Sequence, residues 1–200
     1  MTDFGPQRAG GKVLWHFTMT LDGFVAGPNH EMDWMTGFSF PVGLVNEYVA
    51  TTGAVLGGRS GWDGVTGDRR PYGGAWDGPI FVLTHHPEDA RPTEGVTFLN
   101  CGVAEAVRIG LEAAEGKNLE VFSTTIGRQL LDLGLIDEID LHIAPILLGH
   151  GIRLYDNPGG GPIRLHRVGS GDSISVVNVR YQPVSSANQS QPPIDGLARS

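Results

Sequence analysis

Cysteine occurs once in the 200 residues, at Cys101, which excludes an internal disulfide and suits a reducing compartment. Cationic side chains are also few. The 14 Lys and Arg are outnumbered by 22 Asp and Glu, the formal net charge is −8, and no Lys/Arg-rich run occurs. Nucleic-acid binding needs a positive field to displace counterions from phosphates, so this balance excludes that class of partner. Long apolar runs are missing as well. The longest, 80–83 and 143–148, have strand length and fall far short of a bilayer span. Residues 1–11 lack the apolar stretch of a secretory signal. These absences predict a cytoplasmic protein without membrane attachment.

Glycine and proline are plentiful, 30 and 13 residues, and they fall in short turn-like clusters rather than in one tract. With 40% hydrophobic and 18% charged residues, the composition is that of a globular chain. Its length fits one domain able to bury a substantial core. The expected domain spans 12–183, with 1–11 and the polar, Pro/Ser-rich 184–200 as terminal extensions.

Periodicity supplies the elements. In KVLWHFTMT, residues 12–20, the side chains of Val13, Trp15, Phe17 and Met19 share one face at period two, as in a strand with one side on a core. LDGFVAGPNHEMDW follows as a loop, punctuated by Asp-Gly and Gly-Pro-Asn. Residues 42–52 carry Leu44, Val45, Tyr48 and Val49 at helical spacing behind a proline. Short apolar strands are predicted at 54–58, 80–84, 96–99 and 119–122, helices at 103–114 and 123–133, and a loop rich in Gly, Asp and Arg over 60–78. A long strand over 137–148 ends at Gly149-His150-Gly151, and 163–168 with 174–182 read as a closing antiparallel pair. Strands alternating with helices indicate an α/β domain with a mostly parallel sheet, to which the late strands add an antiparallel edge.

Four segments then read together: LDGFVAGPNHEMDW, VLGGRSGW, IFVLTHHP and VFSTTIGRQLLDLGLIDEIDLHIAPILLGHGIRLYD. Their order and spacing resemble dihydrofolate reductase and, more closely, the reductase domain of the riboflavin-biosynthesis deaminase-reductase. The resemblance covers about 13–181 and is most specific over 134–154. It implies a dihydrofolate-reductase-like three-layer α/β fold: a mixed, mostly parallel central sheet, an antiparallel C-terminal edge and helices on both faces. It also implies hydride transfer from NADPH to a small-molecule substrate. The cofactor would lie across the carboxyl-terminal edge of the sheet, where ligands of open α/β sheets bind. Relatives pair through the sheet edge and late strands, so a homodimer is expected.

By the same resemblance, Gly58-Arg59-Ser60 turns against the adenosine 2′-phosphate, with Arg59 as a forked cationic donor. The plainer alternative is a surface arginine after a turn. The family's threonine two residues beyond is Gly61 here. Thr84 and His85, in Thr84-His85-His86-Pro87, would flank the adenine and its ribose phosphate. A turn histidine is the alternative; a metal site lacks further ligands at metal-binding spacing. Ser123, Thr124, Thr125, Ile126 and Gly127 are expected at the cofactor pyrophosphate, which helix N-terminal amides and hydroxyls attract. Relatives carry Gly-Gly where Phe122-Ser123 stand, and Ser123 or Thr124 also reads as a helix cap. Ala26 and Gly27 complete the implied cofactor contacts.

Asp22 matches the aspartate of the family's S-L-D-G pattern, with Thr20 in place of the serine. It would face nicotinamide and substrate, where a carboxylate orients a donor or relays a proton; a turn-forming Asp-Gly is the alternative. Trp34 reads as an apolar wall of the substrate pocket or as core. Dihydrofolate reduction itself is disfavoured. The pterin-binding acid of dihydrofolate reductases is missing at Ser39, Phe40, Pro41 and Val42, and Glu47 comes later. Asp137 and Glu138 start a strand and point to opposite faces, so they do not form one catalytic pair. Nothing marks Cys101 as an activated nucleophile. The leading expectation is reduction of a C=N bond in a small heterocyclic or ribosylated amine, such as a ribosylaminopyrimidine phosphate. The companion deaminase pattern, H-x-E with P-C-x-x-C, is absent from this chain. The alternative from another class is a non-catalytic ligand-binding module on the same fold.

Overall fold

The computed structural model describes residues 7–36, 40, 43–64, 70–156, 158–160, 163, 165–167 and 177–183. Ser39, Pro41, Val42, the tail 184–200 and parts of 1–11, 60–78, 163–168 and 174–182 lie outside the described residues. The chain order is β1 (Val13–Thr20), β2 (Phe24–Ala26), α1 (Leu44–Thr51), β3 (Thr52–Gly58), α2 (Arg59–Gly64) and β4 (Ile80–Leu83). It continues with β5 (Val96–Leu99), α3 (Val103–Ala113), β6 (Asn118–Phe122), α4 (Thr124–Asp132), β7 (Glu138–Ala144), β8 (Ile152–Arg153), β9 (Leu165–Arg167) and β10 (Val177–Pro183). The main sheet runs β5-β4-β3-β6-β1-β7-β10-β9. Its pairs are parallel from β5 through β7, and β10 is antiparallel to both β7 and β9. This is the mixed sheet with an antiparallel C-terminal edge that the pattern predicts.

Register explains the core. Trp15 pairs with Val121 on β6 and Ile139 on β7, and Leu56 on β3 pairs with Val121, so one face collects apolar side chains across four strands. Ala106 and Val107 of α3 and Ile126 and Leu130 of α4 close that face, all buried in one cluster with Trp15. Gly127 sets the depth of α4. A Cβ there would stand 2.1 Å from the Trp15 indole, so only glycine lets the helix backbone rest on the ring. α1 covers the opposite face, where its Tyr48 stacks on His16 at 4.2 Å between centroids.

Three boundaries differ from the pattern. The strand expected over 137–148 stops at Ala144, because Pro145 has no N–H for the ladder and Ile146 N–H turns back to the Ala144 carbonyl at 2.8 Å. The loop after β1 contains β2, which pairs antiparallel with β8, a partner remote in sequence that local pattern cannot reveal. The 60–78 loop is preceded and entered by α2, whose one turn is braced by Arg59 Nε on Asp63 Oδ2 at 2.6 Å, an i,i+4 pair.

Candidate active site

The carboxyl ends of the parallel strands carry a loop rim. Thr20 ends β1; its hydroxyl donates to Asp22 Oδ1 at 2.5 Å and accepts from Phe24 N at 3.0 Å. Asp22 then spans to the loop after β7: Leu148 N donates to Oδ1 at 3.2 Å and Gly149 N to Oδ2 at 2.7 Å. The Thr20 hydrogen bond, with those two amides, holds the Asp22 carboxyl at about 2, well below its ordinary range. Asp22 is therefore charged throughout neutral pH and pins two loops together. Close by, Arg153 lies over the Phe24 ring at 4.5 Å and donates to the Asp22 carbonyl at 3.4 Å.

A cleft of about 500 Å³ opens beside this clamp. Thr124, Thr125 and Arg128 of α4 form one wall, and Gly151, Ile152, Arg153, Leu154, Asp156 and Pro158 form the other. Gly151 is needed for the second wall, since a Cβ there would meet the Ala26 carbonyl at 2.2 Å. Ala26 pairs with Ile152, and the backbones of Ala26 and Gly27 abut Gly151. Ser123 caps α4, its Oγ accepting from Ile126 N at 3.3 Å. That leaves the other amides of the first turn without intrahelical acceptors. Ile126 is buried in the core with its amide used by the cap, and Gly127 N donates to the Ser123 carbonyl at 2.9 Å while packing on Trp15. Both take part in the packing of α4.

Beneath the rim, on the α1 face, lies a buried ionic cluster that the sequence reading did not single out. His16 Nε2 is 2.7 Å from His142 Nε2, and His16 Nδ1 is 3.2 Å from Glu120 Oε2. Glu120 is fully buried and also accepts from the hydroxyls of Thr52 and Tyr72. Asp140 Oδ2 accepts from Tyr48 OH at 2.6 Å and from Arg180 Nε at 3.0 Å. Burial disfavours the His16 imidazolium, but the charge and hydrogen bond of Glu120, with the charge of Asp140, overcome it and raise the His16 pKa. Burial likewise works against the Asp140 carboxylate, and His16, Arg180 and the Tyr48 hydroxyl nevertheless hold its pKa low. Burial, then Asp140, pushes the Tyr48 phenol up, so it stays a neutral donor. The signal for this cluster is in the sequence: ionisable residues at alternating positions inside otherwise apolar strands, as in LWHF, LEVF and EIDLHI.

The sequence matches the RibD C-terminal domain family over residues 11–172. The chain belongs to that family. It is 27% identical over 146 residues to the protein YwjB of Bacillus subtilis (strain 168), covering 72% of this chain and 82% of YwjB. Among solved structures it resembles the diaminohydroxyphosphoribosylaminopyrimidine deaminase/5-amino-6-(5-phosphoribosylamino)uracil reductase of Thermotoga maritima. The TM-score is 0.66 and the identity 19%, with 86% of this chain and 56% of that one covered. It resembles the dihydrofolate reductase of Enterococcus faecalis, complexed with NADP(H) and RAB-propyl, at a TM-score of 0.59 and 14% identity over 90% of this chain and all of that one (100%). The fold is thus dihydrofolate-reductase-like.

In this RibD-family chain the remaining expected residues divide into those gathered and those set apart. Gly58 ends β3 against Ser123, whose Oγ would be 3.1 Å from an added Cβ. Arg59 reaches across the carboxyl ends of β3 and β4: NH1 donates to the His86 carbonyl and NH2 to the Asp89 carbonyl, each at 3.3 Å. Thr84 Oγ1 accepts from His86 N at 3.1 Å, and His85 is exposed beside it. Arg59, Thr84 and His85 therefore share one corner of the rim, with exposed Ser60 at the start of α2. Trp34 sits half-buried in a short 3-10 turn, Asp33–Met35, with its Nε1 buried and unpartnered among the described residues. Glu47 binds Arg180 NH2 at 3.4 Å, far from the role of a pterin acid. Asp137 accepts from Val13 N at 2.7 Å and Glu138 pairs with Lys12 at 2.6 Å, both at the amino end of the sheet. Burial raises the Cys101 thiol pKa, the reverse of activation.

Proposed function

We propose that this RibD-family chain is an NADPH-dependent reductase of a C=N bond in a small heterocyclic or ribosylated amine, of the ribosylaminopyrimidine phosphate type. The observation that carries the reading is the cleft between α4 and β8. Two arginines, Arg128 and Arg153, and two threonines, Thr124 and Thr125, at the first turn of a nine-residue helix line it beside one carboxylate, Asp156, and donors that outnumber the acid suit a diphosphate. Thr124, Thr125, Arg128 and Arg153 would hold that group; Arg59, Thr84 and His85 would meet the adenosine end. When bound, the dihydronicotinamide supplies the hydride. The chain's part is to bind and orient, and Asp22 contributes by fixing the β1–β2 loop against the loop after β7. The reading includes a cytoplasmic setting and a homodimer joined through the β9–β10 edge. No helix among the described residues is long and apolar enough to cross a membrane.

Calorimetric titration with NADPH and NADH tests this reading directly. NADPH should bind, and Arg153→Ala should weaken it about 10- to 100-fold, the usual scale for losing a charge-assisted contact. Arg59→Ala should narrow the preference for NADPH over NADH. Binding without turnover of any ribosylaminopyrimidine phosphate or cyclic imine would favour the ligand-binding module instead, a reading supported by Phe122-Ser123 standing where relatives carry Gly-Gly. No binding of either nucleotide would overturn both assignments in the cleft.

A further inference from the structure

We propose, resting on the reductase reading above, that Asp156 receives the hydroxyls of the nicotinamide ribose, so that the cleft selects a dinucleotide over a bare diphosphate. Opposite charges line this cleft without meeting. Arg128 of α4 is half-buried and has no hydrogen-bond or ion-pair partner among the described residues, and the exposed Asp156 has none either. Arg153 is held elsewhere, over the Phe24 ring and on the Asp22 carbonyl. A carboxylate only accepts hydrogen bonds, and it repels phosphate oxygens. An acid inside a diphosphate site therefore costs affinity unless the ligand brings donors to it. In a ribosyl diphosphate the donors next to the phosphates are the ribose 2′- and 3′-hydroxyls. Two vicinal O–H groups suit the two oxygens of one carboxylate, and an acidic side chain accepts from ribose hydroxyls in dinucleotide sites of other α/β folds.

Sheet order selects which ribose. The corner assigned to the adenosine end, with Arg59, Thr84 and His85, lies at the carboxyl ends of β3 and β4. From there the sheet runs β4-β3-β6-β1; α4 follows β6, and β2, the partner of β8, follows β1. A dinucleotide laid from that corner past the first turn of α4 brings its other half to the β8 wall, where Asp156 stands three residues beyond Arg153. The chemistry of the ligand agrees. In a 2′-phosphorylated dinucleotide the adenosine ribose has lost its 2′-hydroxyl to the phosphate, so only the nicotinamide ribose keeps the vicinal pair. Leu154 and Pro158 give the same wall apolar surface for the carbon face of a sugar. Arg128 with the threonines then holds the diphosphate, and Asp156 holds the sugar. Asp156 binds and orients; no proton transfer is assigned to it.

Calorimetry on the full-length protein decides it, with EDTA present so that no divalent cation bridges the acid and the phosphates. Two ligands are compared: NADPH, and 2′-phospho-ADP, which keeps the adenosine half and the diphosphate but has no nicotinamide ribose. Asp156 has no partner in the fold to lose, so Asp156→Ala should melt as the wild type does. Its NADPH binding should weaken about 10-fold, the low end for hydrogen bonds to a charged group. Its 2′-phospho-ADP binding should tighten roughly two- to five-fold, because an exposed anion beside the phosphates is gone. Asp156→Asn keeps one acceptor and should fall between wild type and Asp156→Ala with NADPH. An NADPH affinity that is unchanged or tighter in Asp156→Ala overturns the proposal. Equal weakening of both ligands overturns it as well, being the mark of a distorted cleft. Either result leaves the reductase reading standing while the wild type binds NADPH; a wild type that binds no NADPH removes that reading and the proposal together.

Discussion

One strand separates two kinds of interior. Val13 and Trp15 of β1 face an apolar core closed by α3 and α4, whereas His16, one residue away, faces buried ions closed by α1. The apolar side is held by contact and shape: Gly127 lies against the Trp15 ring and the indole N–H reaches the Ser123 carbonyl at 3.2 Å. The polar side is held by charges that burial penalises and that only their partners keep ionised. The difference teaches where function is expected. A packed hydrophobic face stabilises the fold with no further role, while a buried ionic one carries a desolvation cost that an apolar replacement would avoid. Its presence near the rim is the reason to look there for chemistry.

The comparison can be broken by substitution, and the largest effect is expected on the apolar side. Trp15→Ala empties the centre of the core and should cost about 3–5 kcal/mol by chemical denaturation, alike at pH 5.5 and pH 8 on the order of that loss. On the polar side, Asp140→Asn keeps the shape and an acceptor for Tyr48 but leaves Arg180 short of its carboxylate. It should cost about 1.5–3 kcal/mol, the scale of hydrogen bonds to charged groups. A loss from Asp140→Asn equal to that from Trp15→Ala would mean that the ionic face carries as much of the fold as the core does.

A smaller and sharper contrast is the pH dependence. The folded pKa of His16 is raised, so its contribution is fully present below about 6.5, the unfolded value, and is lost as pH climbs through the higher folded value. Asp140 runs the other way: its depressed pKa gives stability present above the ordinary carboxylate value and lost as pH falls through the folded one. Denaturation midpoints should therefore decline on the alkaline side, and His16→Gln should flatten that limb while leaving Trp15→Ala curves parallel to the wild type. An alkaline limb unchanged in His16→Gln would remove His16 as its origin.

How much of this was legible follows from the same two faces. A period-two run marked β1, short apolar runs marked β3, β4, β5 and β6, and helical spacing marked α1 and α3, because each of these patterns is local in the chain. The β2–β8 pair was not legible, since it joins segments far apart and, at three and two residues, neither is long enough to announce a strand. At the site, Thr124 and Thr125 were read from position and fall in the cleft wall, whereas Ile126 and Gly127 are drawn inward by helix packing. His16, Glu120, Asp140 and His142 were passed over for a physical reason. Each stands singly between apolar neighbours on its own strand, and only the lateral register of β6, β1 and β7 places them side by side.

Asp22 gives the smallest expected effect and tests whether the rim belongs with the ionic face. Its carboxylate accepts three hydrogen bonds and titrates at about 2, so between pH 5 and 9 it neither gains nor loses a proton. Asp22→Asn keeps one oxygen acceptor and replaces the other with a donor that faces the Gly149 amide. The β1–β2 loop should then detach from the loop after β7, with faster hydrogen exchange at the Leu148 and Gly149 amides and little change in the thermal midpoint. If Asp22 acts only by holding these loops, the variant raises KM a few-fold and leaves the shape of the kcat pH profile intact, the pattern of lost positioning rather than lost proton transfer. A fall of about 10²-fold or more in kcat at unchanged KM would instead place the Asp22 carboxylate at the reacting atoms.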